Sequence, residues 1–203
     1  MGSEMCIRDR FYDYEGQRQD LIRYMRETEN QLQILLCELA AYLHNKDMEI
    51  NVWDQIIAFE GRMHEFIKAA YDYQDNTFHS HPGYYIDYFE MRLAQLQVLH
   101  NLHYEIKKIR KMPKQALVIA DYIMYMADYV VEMNIPDQQI EKLEEISEQM
   151  KQEELPKTRE EFEGRALLYH ILMDLEEFLV YKKRFVNGLD EKKLRIYWKQ
   201  EME

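Results

Sequence analysis

Residues 155–179 read LPKTREEFEGRALLYHILMDLEEFL. Thr158 and Glu161 stand three apart ahead of an apolar run, the spacing of a reciprocal helix cap. Glu160 and Glu161 also suit the positive end of a helix dipole. Past the cap, Phe162, Ala166, Leu168, Leu172, Leu175 and Leu179 recur with a helical period. Asn187-Gly188 closes the run with residues that tolerate a left-handed turn. One long amphipathic helix is therefore expected from Thr158 to Asn187.

The same period extends through nearly all of the chain. A first helix is expected over about 12–44, with Leu21, Met25, Thr28, Leu32, Leu35, Leu36, Leu39 and Leu43 in phase. After the break HNKDM, a second covers about 50–76, striped by Val52, Ile56, Phe59, Met63, Phe66, Ile67 and Ala70. DNTFHSHPG is the next break. The third covers about 82–111, with Pro82 in its first turn and Ile86, Phe89, Leu93, Leu96, Leu99 and Ile106 inward. The fourth is expected over about 113–134, with Ala116, Ile119, Ala120, Ile123, Ala127, Val130 and Val131 inward. A fifth, over about 136–152, is charged and buries only Ile140, Leu143, Ile146 and Met150, so it belongs on the outside. LDEKKLRIYWKQEME at the end reads as a tail, with Leu194, Ile196 and Trp198 available to dock a short helix.

Glycine (6) and proline (4) are scarce, so elements are long and links short. Helices of 25–30 residues reach about 40 Å. The fold expected is all-α, an elongated up-and-down bundle of about six helices. Residues 11–190 form the domain and 191–203 the tail. The opening MGSEMCIRDR, residues 1–10, resembles a translated sequencing adapter behind a cloning leader and is set aside as non-native or disordered.

A formal charge of −12 excludes a general nucleic-acid binder, which needs a net basic face. Cys37 is the only cysteine outside the leader, which suits a reducing compartment and excludes a disulfide framework. No apolar stretch approaches the roughly 18 residues of a membrane span. Sixteen tyrosines suit helix faces at the core edge, ring buried and hydroxyl wet.

Few residues point to chemistry. A carboxylate-bridged di-metal bundle needs inward Glu-x-x-His pairs, and none of the seven histidines follows a glutamate at that spacing. His100 and His103 share a helix side but supply only two ligands, and His79 and His81 lie in a loop. All four read as structural, with no metal and no cofactor expected. No nucleophile elbow and no Ser/His/Asp or Cys/His set is present, so the protein reads as no enzyme. IKKIRKMPK (106–114) and YKKRF (181–185) are basic clusters at helix C-terminal ends, where the dipole favours cations. With both on one end of the bundle they would offer a contact for an anionic membrane surface.

Two arginines are the ligand candidates. Arg92 borders the Phe89/Leu93/Leu96 face, and Arg165 is in phase with Leu168, Leu172, Leu175 and Leu179. A buried guanidinium needs a carboxylate. The internal candidates are Asp87, Glu90 and Glu176. The external one is an aromatic carboxylate ligand, held by the guanidinium fork and stacked on Tyr84, Tyr85, Tyr88 or Tyr169.

HPGYYIDYFEMRLAQLQVLHNL (81–102) and LPKTREEFEGRALLYHILMDLEEFL (155–179) together resemble the C-terminal domain of the aromatic acid exporter family (family 1) of Gram-positive bacteria. The Leu-Pro-x-Thr-Arg-Glu-Glu-Phe-Glu-x-Arg-Ala string is the more specific part. The resemblance covers about 11–190. It implies an upstream membrane half outside this chain and an all-helical domain on the cytoplasmic side of the membrane. The implied role is regulatory or structural: subunit assembly as a homo-oligomer, ligand sensing or gating. It carries over no catalytic or binding residue. The competing reading is a free-standing helical adaptor that binds a protein partner through Met124, Tyr125, Met126 and Tyr129.

Overall fold

The computed structural model describes the backbone of residues 3–45, 52–76 and 83–198, with side chains from residue 14 onward. Seven helices lie among these residues: α1 Ser3–His44, α2 Val52–Asn76, α3 Gly83–Lys108, α4 Ala116–Ala127, α5 Asp137–Lys151, α6 Arg159–Asn187 and α7 Glu191–Tyr197. No strand occurs among the described residues. Helix α1 extends back to Ser3, well before the start expected at 12. Most of HNKDM, together with His79, His81 and Pro82, lies outside the described residues.

Side-chain pairs give the packing. Helices α1 and α2 run antiparallel, with Tyr24 stacked on Phe66 at 4.4 Å and Gln55 bonded to Glu38 at 2.9 Å. Helices α2 and α3 do the same, matching Trp53 with His100, Phe66 with Phe89 and Tyr73 with Tyr85. Helix α4 lies against α1, where His44 meets Asp121 and Gln33 meets the Val130 carbonyl. Helices α3 and α6 form the most extensive pair. They too are antiparallel: Tyr84 packs on Phe185, and Gln95 donates to the Phe178 carbonyl at 2.7 Å. Helix α5 packs on α6 and α4. All eight stripe residues of α1 are buried, Thr28 among them, its hydroxyl donating to the Tyr24 carbonyl at 2.7 Å.

The cap of α6 forms with one change. Thr158 accepts from the Glu161 N–H at 3.1 Å, but the Glu161 carboxylate accepts from the Lys157 N–H at 3.0 Å. The inward face of α6 also differs. Phe162 is 62% exposed, whereas Ile171, Phe178, Lys182 and Phe185 are buried. Gly188 is right-handed at φ −81°. The chain there turns directly into buried Leu189, so the left-handed stop expected at Asn187-Gly188 does not form. Helix α4 is shorter than its apolar run. Tertiary donors claim the carbonyls beyond it, Gln33 at Val130 and Lys182 at Glu132, and Val131 is exposed. The tail forms α7, which docks through Leu194, Tyr197 and Trp198, while Ile196 is exposed.

Gly164 is where α6 crosses the α3–α4 link. A Cβ there would sit 2.9 Å from Pro113 Cγ and 3.4 Å from the Lys111 carbonyl oxygen. Gly61, in mid-α2, has open space around the same position. Glycine costs a helix interior about 1 kcal/mol relative to alanine, and overpacking costs about 1–3 kcal/mol. Gly61→Ala should therefore stabilise the protein by about 1 kcal/mol, whereas Gly164→Ala should destabilise it by about 1 kcal/mol. Urea denaturation of the two variants tests the opposite signs.

Candidate functional site: a buried charge cluster

Helix α3 is buried almost all round, because α1, α2 and α6 all pack on it. Its buried polar side chains, Arg92 and Gln95 among them, must find partners inside, while Asp87, Glu90, Gln97 and Asn101 keep to one exposed stripe. Arg92, 1% exposed, donates through Nη1 to Gln95 Oε1 at 2.9 Å and through Nη2 to Glu29 of α1 at 3.4 Å. Tyr88 donates to the same Glu29 oxygen at 2.8 Å, and its ring lies 5.1 Å from the guanidinium. Arg92 Nε is buried and has no hydrogen-bond partner within the protein. The partner is Glu29, not Asp87 or Glu90, both of which are exposed.

A second cation lies close by. Lys182 of α6 is 3% exposed and donates to the Glu132 carbonyl in the α4–α5 link. The Glu132 carboxylate accepts from Tyr84, whose hydroxyl also accepts from Trp198 Nε1 at 3.1 Å. Burial pushes the Lys182 ammonium well below the usual lysine range, and the charge of Arg92 adds to the shift. Burial also pushes Glu132 up, against the lowering effect of the Tyr84 hydrogen bond. Glu29, Arg92, Glu132 and Lys182 thus join α1, α3, the α4–α5 link and α6, with α7 attached through Tyr84. A cavity of about 10 Å³, room for one water-sized group, is lined by Arg92, Gln95, Lys182, Asn134 and Gln139. Met126, Tyr129, Val130, Pro136, Phe178 and Leu179 complete its lining, and neither Glu29 nor Glu132 is part of it.

The other candidates lie elsewhere. Arg165 donates to the Glu154 carbonyl and to Glu161, each at 2.6 Å, and holds the α5–α6 link against α6. Tyr85 packs edge-on to Tyr73 and Tyr197, and neither it nor Tyr88 lines the cavity. Tyr84 stacks on Tyr197 at 3.9 Å, and Tyr169 is half-buried. His100 and His103 pack against the Trp53 ring, and burial lowers the His103 pKa. Among the described residues, no three His, Cys, Asp or Glu side chains form a metal-binding group.

The two basic clusters do not share an end. Because α3 and α6 are antiparallel, 106–114 lies beside the start of α6, where Lys114 faces Glu153 at 3.7 Å. Lys111 and Lys114 also border Glu160 and Glu161 there. The 181–185 cluster is at the opposite end, with Lys182 in the core and Lys183 paired to Asp137 at 3.0 Å. Sequence reasoning assigned Lys182 to a solvated cluster. Its spacing of three from Leu179 and seven from Leu175 was the available signal. Glu29 carried the same signal, four after Met25 and three before Leu32.

The sequence profile described as "Putative aromatic acid exporter C-terminal domain" matches residues 18–183. The chain belongs to this family. Protein YqjA of Bacillus subtilis (strain 168) is 27% identical over 170 residues, which is 81% of this chain and 51% of YqjA. The chain therefore spans about half the length of that relative. The crystal structure of a "putative membrane protein" from Clostridium difficile 630 shares the fold, with a TM-score of 0.72 at 23% identity. The match covers 82% of this chain and 99% of the other. Among the described residues, no helix of this exporter-family domain is long and apolar enough to cross a membrane.

Breaking a buried ion pair leaves an uncompensated charge and costs about 3–5 kcal/mol, while removing both partners costs far less. Glu29→Ala should lower stability by about 3 kcal/mol, and the Glu29→Ala/Arg92→Met double variant by clearly less than the two single losses together. A double-mutant cycle in urea checks this.

Asp174 of α6 provides a pH-dependent contrast. Burial first, then Glu105 and Glu177, push its carboxyl up from 3.8 to about 6, against a lowering by His170. Between about pH 4 and 6 the folded state then binds more protons than the unfolded one, so stability falls as pH rises. The site is half open to water, so the loss should be about 1 kcal/mol. Asp174→Asn should abolish that part of the pH profile and be the more stable protein at pH 7.5.

Proposed function

We propose that this chain is the soluble, non-catalytic module of an exporter-like membrane protein, lying on the cytoplasmic side and regulating the membrane half to which it is joined. The family match and the half-length alignment with YqjA support an arrangement of two parts. The observation that carries the regulatory reading is the buried charge cluster. A switch needs an element with two arrangements that a ligand can bias. Four ionisable groups from four segments, with Lys182 and Glu132 both shifted toward their neutral forms, supply such an element. In this reading an aromatic carboxylate is the external signal and Arg92 its contact. Arg165, Tyr85 and Tyr88 support the scaffold around it.

A second reading comes from α4. Leu117, Val118 and Met124 are each nearly half exposed on a helix whose one charged residue, Asp121, lies on the same face. That face suits a protein partner, as an adaptor or as a contact between copies. Met126, in contrast, is buried.

The test joins this chain to the half of YqjA that lies outside the alignment and follows efflux of benzoate from cells. Deleting the module should change efflux several-fold, and Arg92→Ala should reproduce the change while Arg165→Ala does not. Efflux unaffected by deletion would end the regulatory reading and leave the adaptor.

A further inference from the structure

The cavity between α3, α6 and the α4–α5 link has an unusual electrostatic lining. Arg92 and Lys182 are both on its wall, and both are buried. The two carboxylates of the cluster, Glu29 and Glu132, are not among the residues that line it. Arg92 uses Nη1 on Gln95 and Nη2 on Glu29, while Nε has no partner in the protein. A buried donor without an acceptor costs about 1–3 kcal/mol, more when it carries charge. Asn134 and Gln139 add side-chain amides, tied to each other at 3.3 Å. Tyr129, Val131 and Ile135, all exposed, make the surface of this link apolar.

We propose that this cavity is a binding site for a monovalent anion of about one-atom size, either a free halide such as chloride or a single carboxylate oxygen of a small organic acid. The volume sets the size, since about 10 Å³ admits one water-sized group. The charge sets the sign. Two cations packed together in a medium of low dielectric repel each other, and an anion between them reverses that repulsion. The same contact supplies an acceptor to Arg92 Nε. Occupancy favours the charged form of Lys182, so binding takes up a proton when the ammonium is neutral beforehand. The ionisable groups facing that ammonium are Glu29 from α1, Arg92 from α3 and Glu132 from the α4–α5 link.

The site gives the regulatory reading a ligand, but it rests on the cavity alone, so its test uses the isolated chain with no transport readout. Thermal unfolding is followed at constant ionic strength in sodium chloride, sodium formate and sodium isethionate, whose tetrahedral sulfonate is bulkier around each oxygen than the planar formate. Ligand at ten times its dissociation constant should raise the midpoint by about 3 °C over isethionate. A rise in chloride alone identifies a halide site. A rise in formate identifies a carboxylate site.

Lys182→Met removes one cation and keeps the volume of the buried aliphatic stem. It should fold in isethionate and lose the anion-specific rise. As a measurement that needs no variant, crystals of the parent chain soaked in sodium bromide should show an anomalous peak within hydrogen-bond reach of Arg92 Nε. Identical midpoints in the three salts would overturn the proposal, and so would bromide on the surface as an adventitious ion only together with no rise in formate.

Discussion

Everything around α3 follows from one constraint: a helix covered on nearly all sides that still carries an arginine. A guanidinium cannot lose its proton to escape burial, so the surroundings must supply its counter-charge and hydrogen bonds. Glu29 brings α1 in at that level, Gln95 passes a hydrogen bond to α6, and Tyr88 holds the carboxylate from below. Lys182 extends the same arrangement to the α4–α5 link, and Tyr84 extends it to α7. Buried charge adds a requirement that several segments meet in one register, because each slip strands an ion.

Most of the architecture was legible in the residues. The helical period of α1, α2 and α6, the capping pair at Thr158 and Glu161, and the scarcity of glycine and proline set the class and the element count to within one. The eight-residue stripe of α1 is buried as a set because one face of a long helix has only one place to go. Boundaries were less legible where tertiary bonds compete with the helix. Helix α4 stops at Ala127 although its apolar run continues, because side chains from other helices take the carbonyls beyond it. Phe162 follows the period but falls in the first turn of α6, where no neighbouring helix covers it.

The site was half legible. Arg92 stood out because a charge interrupts an apolar face, and the same argument applied to Arg165 led to a structural clamp instead. Periodicity identifies a face but not its position along the bundle, and near the end of a helix that face meets a loop. Lys182 was hidden by its neighbours Lys183 and Arg184, which are exposed and make the trio look solvated. Glu132 lies inside the helix expected over about 113–134 but off its apolar stripe, and only the early end of α4 at Ala127 puts it in a link. The antiparallel run of α3 and α6 is also a tertiary fact: it places the two basic clusters at opposite ends and sets one of them against the acidic start of α6.

The placement of the two tryptophans makes the molecule its own optical gauge. Trp53 rests on the His100 and His103 imidazoles, and Trp198 lies 5.7 Å from the Lys182 ammonium with its indole N–H on Tyr84. Their contacts on α3 are sixteen residues apart, about 24 Å along the helix. Protonated imidazole and ammonium perturb indole emission differently, so the fluorescence of the unlabelled protein resolves events at the two ends of one helix. Trp53 reports on the histidine end. Trp198 reports on the charge cluster and on whether the last helix is seated.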